Sequence, residues 1–272
     1  MSERASSPRR GGRPPRGDAV IERAFALLAT FDSGHPAQSL ADLARRSGIP
    51  RSSALRLART LIGVGALERL DDGRFVVGVR LLEIASLAPR GHGLRAVAMP
   101  HMEDLFHVTR QHVLLAVREG DEALLVERLS ARDASPARYR VGGRLPLTST
   151  GVGLVLLAHA PADLQEQVVA AYRPDVRRGD DIDTPEDLRR TLAEIRRGGY
   201  ALGRQTRPWA MGTVAAPVHG PGGVVAALSI VMPSAELDGS AYGPAVQAAA
   251  RAISRRMVAV PLPEELLPPP RG

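Results

Sequence analysis

The sequence has no cysteine, and none of its 36 basic residues is lysine. Without cysteine there is no disulfide, no thiolate metal site and no cysteine nucleophile. Without lysine there is no phosphate-binding G-x-x-x-x-G-K-[ST] loop. Long apolar runs are missing as well. Stretches such as VVAALSIVM at 224–232 are too short to cross a bilayer. Residues 1–17 contain no apolar stretch and do not resemble a signal peptide. These absences point to a soluble, cytoplasmic protein with no membrane partner.

Catalytic patterns are equally scarce. GVG at 151–153 lacks the third glycine of a dinucleotide fingerprint, and no G-x-S-x-G elbow occurs. His101, His107 and His112 are spaced six and five apart, which does not give the i,i+4 pair of a helical metal site, and His159 and His219 stand isolated. Ser149-Thr150 has no evident base or orienting acid and reads as a helix cap. No cofactor or metal is expected.

What is present is a chain of 272 residues, 44% apolar, enough for one large or two modest domains with a real core. The formal net charge is +7, which permits a polyanionic partner. The distribution of charge says more than its sum. Residues 1–17 hold five arginines against Glu3 and read as a disordered basic tail; 259–272 read as a Pro-rich tail. From 18 to 88, nine arginines meet eight carboxylates, so this region is nearly neutral.

Within 18–78 the pattern is helix, helix, helix, hairpin. Ile21, Ala24, Leu28 and Phe31 recur at helical spacing after Asp18. Ser39 and Asp42 form a capping-box pattern opening LADLARRS, Gly48 closes that helix, and Pro50 suits the start of the next. LERL and RFVVG flank the turn signal Asp71-Asp72-Gly73. VRLLEIASLA resumes helical spacing in a linker helix over 79–93, interrupted by Pro89–Gly93.

The third helix, residues 51–64, has an unusual outer side. At about 100° per residue, Ala54, Leu57, Ala58 and Leu61 share one face. Ser52, Arg56 and Arg59 lie opposite, with Ser53 and Thr60 beside them and Arg51 on the first turn. No carboxylate balances these arginines, whereas an ordinary solvated helix mixes both signs in i,i+4 pairs. Two helices meeting at a tight corner give helix-turn-helix geometry, whose second helix enters the major groove. Arginine there donates to phosphates and to guanine edges. Arg69 and Arg74 on the hairpin suit a wing against the adjacent backbone.

From 94 to 258 a helix is followed by a hairpin around Glu119-Gly120-Asp121, an extended RYRVGG, helices near 149–160, 162–173 and 184–197, strands YALGRQT, TVAAPV and VVAALSIVM, and a last helix near 240–258. This mixture predicts an α+β chain whose second domain carries a largely antiparallel sheet.

Taken in order, SLADLARRSGIPRSSALRLARTLIGVGALERLDDGRFVVGVRLLEIA, then LRAVAMPHMEDL, GGRLPLTSTGVGLVLLA and the GY-to-AAPV stretch resemble the IclR family of bacterial transcriptional regulators over about 18–258. The resemblance implies a winged helix-turn-helix and a GAF/profilin-like effector-binding domain at 94–258. It implies a double-stranded DNA operator, a small-molecule effector that is an organic or aromatic acid, and a homodimer or dimer of dimers. It places the effector among Leu145, Gly151 and Val152 at a helix start, Thr213, and the strand residues Ser229 and Val231. The family pattern is altered here. Gly203-Arg204-Gln205-Thr206 stands where an acidic stretch is common, with Gly203 at a frequent Asp, and Val231 replaces a Ser. A less polar pocket follows, with Trp209 near; Arg204 or Arg207 stands at the ligand's anionic end, or both are surface residues, the reading the sequence favours. Two alternatives remain open: a catalytic α/β domain fused to a winged helix, and a regulator whose pocket has lost its ligand.

Overall fold

The computed structural model describes residues 20–259 apart from 33, 88, 131–138, 175–181 and 206–209. The expected basic tail, Arg207, Trp209 and all of the expected Pro-rich tail but Ala259, which ends the last helix, lie outside the described residues. The chain divides into two compact units, Met1–Leu87 and Ala88–Gly272.

The first unit contains helices α1 (Val20–Leu28), α2 (Leu40–Ser47) and α3 (Arg51–Gly63), strands β1 (Leu67–Arg69) and β2 (Phe75–Val77), and helix α4 (Val79–Ser86). Helix α2 starts with a reciprocal cap: the Asp42 N–H donates to the Ser39 hydroxyl at 3.2 Å, and the Ser39 N–H donates to the Asp42 carboxylate at 3.3 Å. The Ser39 hydroxyl also donates to the Asp42 carboxylate at 2.7 Å, and this bond, then Arg45 and the Ser39 N–H, lower the Asp42 pKa to about 2. Gly48 then turns the chain with φ 70°, a conformation few side chains tolerate. The core holds Leu27, Leu43, Ala54, Leu57, Ala58, Leu61, Leu67 and Phe75. Gln38 exchanges both backbone hydrogen bonds with Phe75, adding a third partner to the β1–β2 hairpin.

Two expectations need correction in this region. Ile21 is 70% exposed, and Leu27 fills the core instead. The covered side of α1 comprises Ala24, Leu27 and Leu28 with Phe31 beyond its end, so the first turn overhangs its neighbours. The linker helix ends at Ser86, and residues 89–93 form the first turn of the next helix rather than an interruption. Proline at the first helical position sacrifices no hydrogen bond.

The second unit runs α5 (Pro89–Thr109), β3 (His112–Glu119), β4 (Glu122–Leu129), β5 (Arg144–Pro146), α6 (Gly151–Ala158), α7 (Ala162–Ala171), α8 (Pro185–Gly198), β6 (Ala201–Gln205), β7 (Met211–Gly220), β8 (Gly223–Pro233) and α9 (Gly239–Ala259). The expected extended RYRVGG is instead a turn at its end: Gly142 has φ 77° and the Gly143 N–H donates to the Arg140 carbonyl, so the strand begins only at Arg144.

The six strands pair antiparallel in the order β5-β4-β3-β8-β7-β6. Alternate residues feed two cores. Leu114, Ala215 and Val231 face α6 and α8; Val113, Val214, Ile230 and Met232 face α5 and α9. Helix α6 is buried along its whole length, which explains why GVGLVLLA is apolar on every side.

Candidate functional site

Two places in this fold carry residues with no structural employment. The first is the outer side of α3. Ala54, Leu57, Ala58 and Leu61 are buried; Arg51, Ser52, Arg56, Arg59 and Thr60 are exposed, and Ser53 is half-buried. The guanidinium groups of Arg51, Arg56 and Arg59 make no ion pair or hydrogen bond among the described residues. Four other arginines of this unit are paired: Arg45 to Asp42, Arg46 to Asp32, Arg74 to Asp72 and Arg80 to Glu83. The Thr60 hydroxyl donates to the Arg56 carbonyl at 3.1 Å, stiffening that turn. The outcome is an exposed cationic face with no internal counter-charge.

The hairpin is less free. The Arg74 guanidinium binds Asp72 at 2.7 Å, and the Arg69 guanidinium sits 5.9 Å from the Phe75 ring centroid. The backbone N–H of Arg74 and then its side chain hold the Asp72 carboxyl below the usual carboxylate range.

The second place is a cavity of about 280 Å³ in the α6 face of the sheet. It brings together Leu145, Gly151, Val152, Arg204, Thr213, Ser229 and Val231, all seven residues expected there. The strand register explains the grouping. Gly203 pairs with Thr213 and Thr213 with Val231, while Ser229 sits between Ala215 and Leu114. Leu114, Leu154, Ile182 and Met211 make much of the lining apolar.

Helix α6 begins inside this cavity. The Thr150 hydroxyl accepts from the Gly153 N–H at 3.1 Å and donates to the Pro146 carbonyl at 2.8 Å; the Leu154 N–H binds the Thr150 carbonyl at 2.8 Å. The N–H groups of Gly151 and Val152 have no partner among the described residues. A Cβ at Gly151 would lie 2.6 Å from the Thr213 hydroxyl, so glycine is what lets the helix start this close to β7. The Ser229 hydroxyl, in a residue only 1% exposed, is also without a partner. Unengaged donors at a helix N-terminus favour an anion, and a buried hydroxyl gains from any polar partner.

Arg204 is exposed, as the surface reading expects. Its register partners are Gly212 and, beyond it, Met232, whose side chain belongs to the opposite core. It thus reaches the cavity wall from the row that points to the other side of the sheet. Several lining residues were not foreseen. Tyr139 is met edge-on by the His112 ring at 6.1 Å, and α8 contributes Arg190, Thr191 and Glu194. A polar flank on an amphipathic helix was the sole hint of the α8 wall, and surface helices share it. His159 and His219, isolated in sequence, come to 6.1 Å between ring centroids; burial and then the neighbouring His159 lower the His219 pKa.

Residues 88–255 match the family model for the bacterial transcriptional regulator IclR C-terminal domain, and residues 20–71 match the IclR helix-turn-helix domain. The chain is 28% identical over 259 residues to the HTH-type transcriptional repressor AllR of Klebsiella pneumoniae, covering 90% of this chain and 95% of that protein. It is 29% identical over 243 residues to the glycerol operon regulatory protein of Streptomyces coelicolor, covering 86% and 94%. Among solved structures, an IclR homologue from Microbacterium hydrocarbonoxydans complexed with 4-hydroxybenzoate is 36% identical, with a TM-score of 0.84 over 89% of this chain and all of that one.

Proposed function

The chain belongs to the IclR family of bacterial transcriptional regulators, and on that premise we propose how its two units divide the work. It is a DNA-binding transcriptional regulator. In our reading α3 lies in the major groove of an operator. Arg51, Ser52, Ser53, Arg56, Arg59 and Thr60 supply contacts to phosphates and base edges. Arg69 and Arg74 act from the wing, more weakly because each already has an intramolecular contact. The first unit is the DNA-binding domain with α4 as its linker helix, and the effector domain starts with α5. The operator reading is tested by footprinting the protein on DNA upstream of its own gene; undiminished binding by Arg56→Ala with Arg59→Ala would overturn it.

The protein acts as a homodimer or a dimer of dimers in the cytoplasm. Two helices of the first unit support the oligomer by leaving apolar side chains uncovered. Val20, Ile21 and Phe25 on α1 are 66–70% exposed, and Val79 and Leu82 on α4 are 62% and 69% exposed. A second copy would cover such surface. Sedimentation of the full chain tests this.

The cavity binds a small organic acid, preferably aromatic. One observation carries the proposal: two free N–H groups, of Gly151 and Val152, and an orphaned Ser229 hydroxyl share a cavity that also offers an apolar wall of Leu114, Leu145, Leu154, Ile182 and Val231. The carboxylate sits at the α6 N-terminus, with Thr213 and Ser229 beside it and Leu145 and Val231 against the ring. Arg204 adds distant positive charge. The relative crystallised with 4-hydroxybenzoate supports this ligand class. The second unit is read as a sensor and not as an enzyme, in keeping with relatives that are regulators. Titration with aliphatic and aromatic acids tests it, since a ligand raises apparent stability by mass action. Tight binding of glyoxylate-like or pyruvate-like acids alone would overturn the aromatic preference.

A further inference from the structure

The α8 wall of the cavity is left unexplained by the carboxylate seat on α6. On a helical wheel of about 100° per residue, Leu188, Leu192 and Ile195 turn to the core, while Asp187, Arg190, Thr191 and Glu194 fall on one flank. Three of these four, Arg190, Thr191 and Glu194, line the cavity. Asp187 is engaged twice: it accepts from the Thr184 hydroxyl at 2.7 Å and from Arg190 at 2.5 Å. Arg190 therefore turns back to Asp187 at i−3 and not forward to Glu194 at i+4, although helical spacing permits either. The Glu194 carboxylate makes no hydrogen bond or ion pair among the described residues.

When ionised, such a group offers acceptors only, and its strongest bonds are to donors that it meets as a charge. We propose that Glu194 reads the end of the ligand remote from its carboxylate, selecting a hydrogen-bond donor there and rejecting a second anion. The inference rests on the carboxylate seat at α6. It narrows the ligand class to a monocarboxylate carrying a distal hydroxyl or amino group. A dicarboxylate of the same length would satisfy α6 at one end and meet like charge at the other.

The test is isothermal titration of the full chain with benzoate, 4-hydroxybenzoate and terephthalate, which share a ring and one carboxylate. The wild type is expected to bind 4-hydroxybenzoate ~10-fold tighter than either of the others, the size of one charge-assisted hydrogen bond. Glu194→Gln, an exposed and nearly isosteric change, should leave the ligand-free melting temperature unchanged and bring terephthalate within ~3-fold of 4-hydroxybenzoate. Glu194→Ala should erase the preference for 4-hydroxybenzoate over benzoate. If both variants keep the wild-type ratios, or shift all three affinities by one factor, Glu194 does not read the ligand and the inference falls while the α6 seat stands. If the wild type binds none of the three, the α6 seat falls and takes the inference with it.

Discussion

Helices α3 and α8 are both rich in arginine; those of α3 are unpaired among the described residues, and three of the four on α8, all but Arg197, are held by partners. Along α3, Arg51, Arg56 and Arg59 have no carboxylate on their own helix and no partner elsewhere among the described residues. Along α8, Arg189 binds Glu166 and Glu186, Arg190 binds Asp187, and Arg196 donates to the Ala158 carbonyl and to Gln165. Arginine content is thus uninformative by itself. What separates a structural helix from one that waits for a polyanion is whether the fold supplies the counter-charge.

The contrast can be broken most strongly at α3. Arg56→Ala with Arg59→Ala should weaken operator binding by ~1–3 kcal/mol for each residue that reads a base, measured by gel shift. The salt slope should fall by about one unit per phosphate contact removed. A subtler change is Thr60→Glu, which gives Arg56 the i+4 carboxylate that α3 lacks. It should cost about 1 kcal/mol of operator affinity while leaving the fold intact, because the new ion pair adds at most a few tenths to the helix. The reciprocal experiment on α8, Arg189→Ala, should lower stability by less than about 1 kcal/mol and leave operator affinity unchanged, as exposed ion pairs contribute little. Chemical denaturation and gel shift together report both.

The smallest effect is expected from acid. The Thr184 hydroxyl, and then Arg190, hold the Asp187 carboxyl below its ordinary value of 3.8. A carboxyl depressed in the folded state adds stability above about pH 4 that is lost as pH falls below it. Amide exchange at the start of α8 should therefore accelerate in that range. Asp187→Asn should remove the dependence, while α3, with no carboxylate, should show none.

How far these features could be read in advance depended on their range. The α3 face needed nothing beyond helical spacing within 14 residues, and the Ser39–Asp42 cap and the β1–β2 turn were equally local. Six of the cavity residues came from likeness to a family, since strands β5, β7 and β8 meet there from distant parts of the chain. Arg204, named because it departs from the family pattern, shows what spacing alone leaves open. One position along β6 separates the cavity face from the opposite one, and that alternation is fixed by pairing with β7. The α8 flank was illegible because its polar residues look like any solvated surface until α6 and the sheet close beside them. Ile21 was misread since spacing identifies a stripe but does not say where along it a neighbouring helix ends.

The strand order has a consequence in time. β3 pairs with β8, so His112 lies against Val231, and the two central strands of the sheet come from opposite ends of the second unit's sequence. Closing so long a loop is entropically costly and slows folding. On the ribosome the β3–β4 hairpin emerges first and waits with one edge unpaired. The α6 helix, apolar on every side, waits with it. The sensor domain therefore cannot complete its central seam until β8 has been synthesised, and truncation before β8 removes the seam along with the last strand.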